Sequence, residues 1–533
     1  MVNEYTLRLL PAQAASESVL KSSVCRLKGL EESHVTAVRL LKRSVDARQK
    51  TVYIQVQVRV FVDELPPADS FEPVHFGDVS AAPAVVVVGA GPAGLFAALR
   101  LIELGRKPIL LERGKNVHER KRDLADAVRR QHIHPESNYC FGEGGAGAYS
   151  DGKLFTRSKK RGDVSQILRL FHQFGASENI LTDAHPHIGT DRLPRIISNM
   201  REQILASGGE VHFETKMTGL LLHRGRAVGV CCENGQEYHG PVILATGHSA
   251  RDVYRLLEEM HLPLEAKGFA MGVRLEHPQP LIDQLMYHSP QGRGDFLPAA
   301  EYSFVQQVDG RGVYSFCMCP GGFIVPASDC DGRQVVNGMS PSNRGSRWAN
   351  SGMVTEIRPE DLPQFEKFIL KSLPSDEAAT YVSLPLPMQM MQLQHAFERC
   401  TYQQVQKGLV APAQRMTDFL QGKLSATLPD SSYVPGLQSS PLHQWMPYAL
   451  RHRLQQGFKL FDRGVKGFLT AEAQLIAAET RTSSPVRIPR DPEGLNLWGV
   501  EGLYPCGEGA GYAGGIVSSA IDGRLCAEKA AAL

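Results

Sequence analysis

The clearest pattern in the chain lies at residues 52–62, where Val52, Ile54, Val56, Val58, Val60 and Val62 alternate with Tyr53, Gln55, Gln57, Arg59 and Phe61. Period two over this span predicts a strand with one face on a core and the other more polar. Upstream, Thr6–Leu10 and Val35–Leu41 read as strands, and Pro11 opens a predicted helix reaching Leu27. The β-α-β-β order over residues 1–65 predicts a small ferredoxin-like α+β domain. It carries no cofactor chemistry, so packing or a protein partner is its expected role. Residues 66–83 hold Pro66, Pro67, Pro73 and Pro83 with few periodic apolar positions, the composition of a linker.

From residue 84 to 260 strands and helices alternate, and the fold class is α/β. The apolar run Val85–Val88 predicts a buried strand, followed by a helix to Leu104 that Gly105 stops, a strand Ile109–Glu112 and a helix Pro194–Ala206. Shorter strands follow at Val211–Phe213, Leu220–Leu222, Ala227–Cys231 and Pro241–Ala245. Residues 261–475 change style to candidate antiparallel strands (Tyr302–Val308, Val313–Cys317, Gly322–Val325, Gln334–Asn337). Helical stretches come after them, around Asp361–Leu373, Gln389–Gln406 and His443–Asp462. This predicts a mixed α+β domain inserted into the first. Residues 476–533 return to strand, glycine loop and helix and complete the first domain.

Three motifs carry candidate chemistry. Val85–Val88 runs into Gly89-Ala90-Gly91-Pro92-Ala93-Gly94 and then a helix. Gly89 permits the tight turn, Gly91 lets backbone approach a pyrophosphate, and Gly94 lets helix and strand pack closely. The helix start offers free N–H groups and a partial positive charge. Glu112 ends the next strand, where a carboxylate can accept hydrogen bonds from a ribose diol, and Arg113 follows it. Strand, fingerprint, helix and acid together predict a dinucleotide site. FAD is favoured over NAD by the strand and small-residue turn Val242–His248, with Ala245, Thr246 and Gly247 facing a cofactor. The last glycine loop, Gly507–Ile516, adds Gly507, Glu508, Gly515 and Ile516 ahead of a helix whose amino end can stabilise a reduced flavin. No second strand–GxGxxG–helix unit exists for a separate nicotinamide domain, so NADH or NADPH enters only as a transient reductant.

The second motif, FGEGGAGAYSDGK at 141–153, is a flavin-covering loop in which Gly144, Gly145 and Gly147 allow close approach and Lys153 faces substrate as a proton donor. The third, ETRTSSPVR at 479–487, supplies Arg481 and Arg487, whose forks suit a substrate carboxylate or phosphate, or else brace two domains.

Composition narrows the classes. The 50 glycines among 533 residues exceed the roughly 37 expected at average usage, and the three loops hold thirteen, so the surplus is local rather than a sign of disorder. Lys+Arg of 58 against Asp+Glu of 56 gives +2, which offers nothing to a polyanion, and the basic run Arg157–Arg161 lacks interleaved aromatics, so nucleic acid is not an expected partner. The ten cysteines include no CxxC pair, which excludes a paired zinc framework, and no metal is expected. Cys317-Met318-Cys319, the vicinal Cys231-Cys232 and Cys506 read as reduced thiols. The uncharged stretch 81–99 is broken by Pro83, Gly89, Gly91, Pro92 and Gly94, and reads as strand, turn and helix rather than a membrane span. The first residues lack a long apolar region, so a cytoplasmic location is expected.

At these motifs the chain resembles the FAD-dependent dehydrogenase-like proteins, mostly bacterial with plastid relatives. The matching segments include GAGPAGL at 89–95, FGEGGAGAYSDGKL at 141–154, HIGTDRLP at 187–194, ILATGHSARD at 243–252 and CMCPGG at 317–322. NGMS at 337–340, ETRTSSPVRI at 479–488 and GLYPCGEGAGYAGGI at 502–516 continue the match. The resemblance implies a glutathione-reductase-like flavin domain with FAD bound non-covalently and an inserted substrate domain over the ring. It also implies Glu112 at the adenosine ribose, Met217 in backbone contact near adenine and the final glycine loop at the flavin. Cys506 departs from the small residue familiar there. The expected function is hydride exchange between the flavin and an unidentified small organic substrate. Two other readings stand beside it: a flavin-dependent RNA-modifying enzyme, and a flavin-stabilised interaction protein without turnover.

Overall fold

A computed structural model describes residues 1–67, 72–156 and 162–533. Its organising element is a five-stranded parallel sheet in the order 503–505, 242–244, 84–88, 107–111, 210–212. Val85, Val86, Val87 and Val88 are all buried, which is why this strand reads as a continuous apolar run and sits at the sheet's centre. The chain turns at Gly89 into the helix Pro92–Glu103, with Gly91 at the cap position and proline in the first turn. That helix is buried nearly all round because the C-terminal helix Ile516–Ala531 packs beside it. The last 30 residues thus finish a layer that the first strand begins. Two helices absent from the pattern reading, Val117–Arg130 and Val164–Gln173, lie between the second and third segments of the sheet.

The strands Met217–His223, Arg226–Cys232 and Glu237–His239 form a separate antiparallel sheet, while 210–212 and 242–244 belong to the parallel one. What looks like one hairpin region is therefore divided between two sheets.

The second domain is built on an eight-stranded sheet running 305–308, 311–326, 348–357, 269–278, 474–479, 411–415, 437–439, with 336–339 paired to 311–326. All its pairings are antiparallel except 411–413 with 437–439. Phe269–Pro278 and Trp348–Ile357 are central strands buried on both faces, so they lack the alternation that marks a strand in sequence. The strand Gln474–Glu479 belongs to this sheet, so the expected boundary at 475 falls inside it. Helices Leu386–Gln403 and Tyr448–Gly464 pack on the sheet.

The N-terminal unit is a three-stranded antiparallel sheet in the order 2–9, 53–62, 35–46, and one helix, Glu17–Lys28, contributes to its core. These are the first four elements of a ferredoxin-like unit; the second helix and fourth strand are absent among the described residues, which corrects that expectation. The predicted helix 11–27 is also divided, into a short 3-10 turn at 11–14 and a helix capped by Ser16. The proline-rich segment is not free along its described part. Val79 is buried, Val74 exchanges hydrogen bonds with Gln173, and Phe76 packs on Phe174. The basic run 157–161 lies outside the described residues. Among the described residues no helix is long and apolar enough to cross a membrane.

Candidate functional site

One cavity of about 410 Å³ runs between the two large domains. Two helices end on it. Pro92–Glu103 begins at Gly91 and Ile516–Ala531 at Gly515, and neither amino end has a side-chain cap. An uncapped helix start leaves N–H groups without intrahelical acceptors and a partial positive charge. Two such ends on one cavity form a site for an anion. The glycines explain how backbone comes so close. A Cβ on Gly94 would lie 1.8 Å from the Gly89 carbonyl oxygen, so only glycine lets this helix seat against its strand. A Cβ on Gly91 would have Gly145 Cα as its nearest neighbour at 3.8 Å, so the space it would take is the cavity itself.

The second glycine loop is held over the first by charged side chains. Glu112, 5% exposed, accepts from the amides of Ala90 (2.9 Å), Gly114 (2.9 Å) and Gly142 (3.0 Å). Its carboxylate ties both loops to the strand end. Arg120, fully buried, donates to the carbonyls of Asn138 (2.8 Å), Glu143 (2.9 Å) and Gly145 (2.8 Å). Glu143 accepts from Val117 N–H at 2.7 Å and from Arg201 at 2.8 Å; burial nevertheless pushes its carboxyl up to about 7. Sequence reading missed Arg120, which looks like one more basic residue on an amphipathic helix; only tertiary packing turns it toward the loop.

The opposite wall joins the end of the central glycine loop to the second domain, where Phe316, Cys317 and Asn337 line the cavity. Lys153 donates to the Met318 carbonyl and lies 3.9 Å from Asp151. Burial works against its charge, but the thiols of Cys317 and Cys319 and the carboxylates of Asp151 and Glu301 raise its pKa. Asp151 pairs with Arg344 at 2.9 Å through one oxygen and leaves the other buried without a partner. Arg481 reaches the cavity but is committed elsewhere. It pairs with Asp329 at 2.8 Å and Glu398 at 3.3 Å and donates to Ser249 at 3.0 Å. Glu398 also holds Arg251 of the first domain at 2.7 Å. Of the two roles open to Arg481, bracing the domains is the one its contacts fill.

Of the expected cofactor positions, Gly89, Gly91, Pro92, Ala93, Glu112, Arg113, Gly145, Gly147, Met217, Ala245, Thr246, Gly247, Glu508, Gly515 and Ile516 line this cavity. Gly94, Gly144 and Gly507 do not line it. Gly144 and Gly507 take positive φ values of 82° and 74°, and a Cβ on Gly144 would meet Ile197 at 2.5 Å. They shape the loops from behind. Arg487 is the clear correction. It pairs with Glu265 in a two-stranded ribbon and sits over the Tyr512 ring, away from the cavity lining. Cys506 lines the cavity, but Cys526 and burial raise its thiol pKa well above the ordinary value, which disfavours a reactive thiolate. Cys506, Asp522 and Cys526 converge, yet Arg490 pairs with Asp522 at 2.6 Å and lies 3.4 Å from Cys526 Sγ, so a guanidinium already fills the place of a cation.

The parallel sheet, its glycine turn and the paired helix ends define a dinucleotide-binding protein. Residues 84–120 match the family model described as a FAD binding domain, and residues 268–482 that of a FAD-dependent protein, C-terminal domain-like. Residues 1–61 match a domain of unknown function (DUF8436). Over 532 residues the chain is 36% identical to an uncharacterized protein of Clostridium beijerinckii, covering 96% of this chain and 95% of that relative. The chain belongs to the same family, one of FAD-dependent proteins.

Solved structures similar to it include a geranylgeranyl bacteriochlorophyll reductase-like protein of Thermoplasma acidophilum, at 13% identity and TM-score 0.34, covering 85% of this chain and 79% of that one. Another is CtdE in complex with FAD, at 10% identity and TM-score 0.29, covering 83% and 82%. At such distances the residue roles rest on this chain's own geometry.

Proposed function

We propose that the protein is a FAD-dependent oxidoreductase that exchanges a hydride with a small organic substrate where the two large domains meet. The observation that carries this reading is the pair of uncapped helix ends on one cavity, with Glu112 and Met217 lining it from the first domain and Lys153, Phe316, Cys317 and Asn337 also lining it. The backbone at Gly91–Ala93 and at Gly515–Val517 would hold the pyrophosphate and the electron-rich part of a reduced ring. Gly145 and Gly147 would lie close to it, since neither carries a side chain. When bound, the flavin supplies hydride exchange at its N5 atom.

The chain's own residues supply orientation and charge. Lys153, kept protonated by its anionic neighbours, acts as a fixed cation that orients an anionic or carbonyl-bearing substrate. That replaces the proton-donor role expected of it, because a raised pKa makes proton release harder at neutral pH. Asp151 lines the same wall and adds its negative charge beside Lys153 at 3.9 Å.

The test is to purify the protein, record flavin absorption, identify the released cofactor and screen reductants anaerobically, NADH and NADPH among them. A yellow protein releasing FAD and bleached by an organic reductant is expected. A colourless protein that takes up no FAD would overturn the reading.

A further inference from the structure

The strand 311–326 carries Cys317 into the wall of the cavity, with Cys319 buried two residues on, at a point where its pairing breaks. Phe316 faces Gly352 and Cys319 faces Asn350, so three steps on one strand oppose two on the other. One residue is extra, which is a β-bulge, and bulges re-aim side chains beside active sites. Cys317 takes a φ of 44°, left-handed for a non-glycine residue. On a regular strand, residues two apart share a face with Cα atoms about 6.6 Å apart, near the upper limit for a disulfide. The bulge and the left-handed φ at Cys317 change how the two side chains are presented. Cys319 Sγ donates to the Cys317 carbonyl at 3.3 Å, which ties the two cysteines together at the bulge.

The surroundings suit a thiolate. Arg274, fully buried, donates to the Cys317 carbonyl at 2.8 Å and lies 3.4 Å from Cys319 Sγ; Lys153 is bound to the intervening Met318 carbonyl. Of the carboxylates facing them, Asp151 is paired with Arg344, and burial pushes Glu479 up to about 7 despite its 3.1 Å contact with Arg274. Cation charge therefore outweighs anion charge around the pair. The hydrogen bond from Cys319, with Lys153 and Arg274, holds the Cys317 thiol below the ordinary range, and Cys319 is correspondingly raised. Cys317, Lys153 and Asp151 line the same cavity.

We infer that Cys317 and Cys319 are a redox-active dithiol that exchanges two electrons with the flavin, and that the organic substrate is a small dithiol or its disulfide. The inference rests on FAD occupying this cavity. In the forward direction the Cys319 S–H bond breaks and one S–S bond forms between the Cys317 thiolate and Cys319; the two electrons and one proton released reduce the oxidised flavin. A substrate dithiol then exchanges with the Cys317–Cys319 disulfide, leaving as a cyclic disulfide and returning both cysteines to thiols. Cys317 is the attacking and more accessible sulfur, and Cys319, buried, is the resolving one.

The experiment uses the full-length, FAD-loaded protein under argon, with dithiothreitol as the dithiol. Flavin absorbance is followed while samples are quenched with N-ethylmaleimide and the peptide containing Cys317 and Cys319 is weighed. Before dithiothreitol is added, protein with oxidised flavin should yield a peptide about 2 Da lighter than its free-thiol form and unalkylated at both positions, and bleached protein a peptide alkylated at both. Cys317→Ser and Cys319→Ser should each slow dithiothreitol-driven bleaching by about tenfold or more, and Cys231→Ser, which does not line the cavity, should not. Full alkylation of both cysteines in protein with oxidised flavin, before dithiothreitol is added, would overturn the inference. The wild-type mass measurement decides the matter even where a variant fails to fold. Protein without bound FAD overturns the proposed function itself, whereas bound FAD with an unreacted Cys317–Cys319 pair overturns only this inference.

Discussion

At the residue scale the two fingerprint glycines Gly91 and Gly94 do different work, and substitution separates them. Gly94→Ala places a Cβ 1.8 Å from the Gly89 carbonyl oxygen, so helix and strand must part; a loss of about 1–3 kcal/mol of stability is expected, read from denaturant unfolding. Gly91→Val has room in the protein, since its own φ is −77°, but fills the cavity. Its melting temperature without FAD should stay near wild type while FAD retention on gel filtration is lost. Glu143 gives a pH signature. Its carboxyl is raised from 4.5 to about 7 in the folded chain, so between those values the unfolded chain releases a proton that the folded chain keeps. Stability from this group is complete below about pH 4.5 and is lost as pH rises through 7. Glu143→Gln stays neutral and should flatten that decline, seen by comparing thermal midpoints at pH 5 and pH 7.5.

At the element scale the domains are held by charges buried between helices and strand ends. Glu398 on the helix 386–403 bonds Arg251 on the helix 251–259 and Arg481 just beyond the strand 474–479. Removing the anion leaves two buried guanidinium groups with one fewer partner, and breaking such a set costs about 3–5 kcal/mol. Glu398→Ala should therefore destabilise far more than Glu493→Ala in an exposed loop, measured by urea unfolding at pH 7. The strands that sequence reading missed share one cause. Phe269–Pro278 and Trp348–Ile357 are covered on both faces, which erases the period-two alternation that exposed 52–62 so plainly. The helix Val117–Arg130 escaped for the opposite reason. Its buried residues are only Val117, Arg120, Leu124 and Ala127, and a charged one sits among them.

For the whole molecule, one cavity is lined by the start, middle and end of the chain, from Val88 to Ser519. A ligand that joins such distant segments stabilises the folded state by mass action. FAD at about a thousand times its dissociation constant should add about 4 kcal/mol, seen as a thermal shift of confirmed FAD-free protein. The N-terminal sheet is fastened to the rest by Arg43 and Asp183 at 2.9 Å and by Val52, which enters the core of the second domain.

By itself the sequence determined the dinucleotide turn, the three glycine loops and the return of the last helix to the first sheet. Those features depend on local backbone freedom and on apolar periodicity, both written in neighbouring residues. Tertiary structure alone decided the roles of the charged and sulfur-bearing side chains. Arg481 became a brace, Arg487 left the cavity and Arg120 became the anchor of the central loop. Cys317 came to face the cavity from a bulge that no spacing rule announces. A long polar side chain is satisfied by whichever partner the packing brings within reach, and that partner can lie hundreds of residues away, as Ser249 does from Arg481.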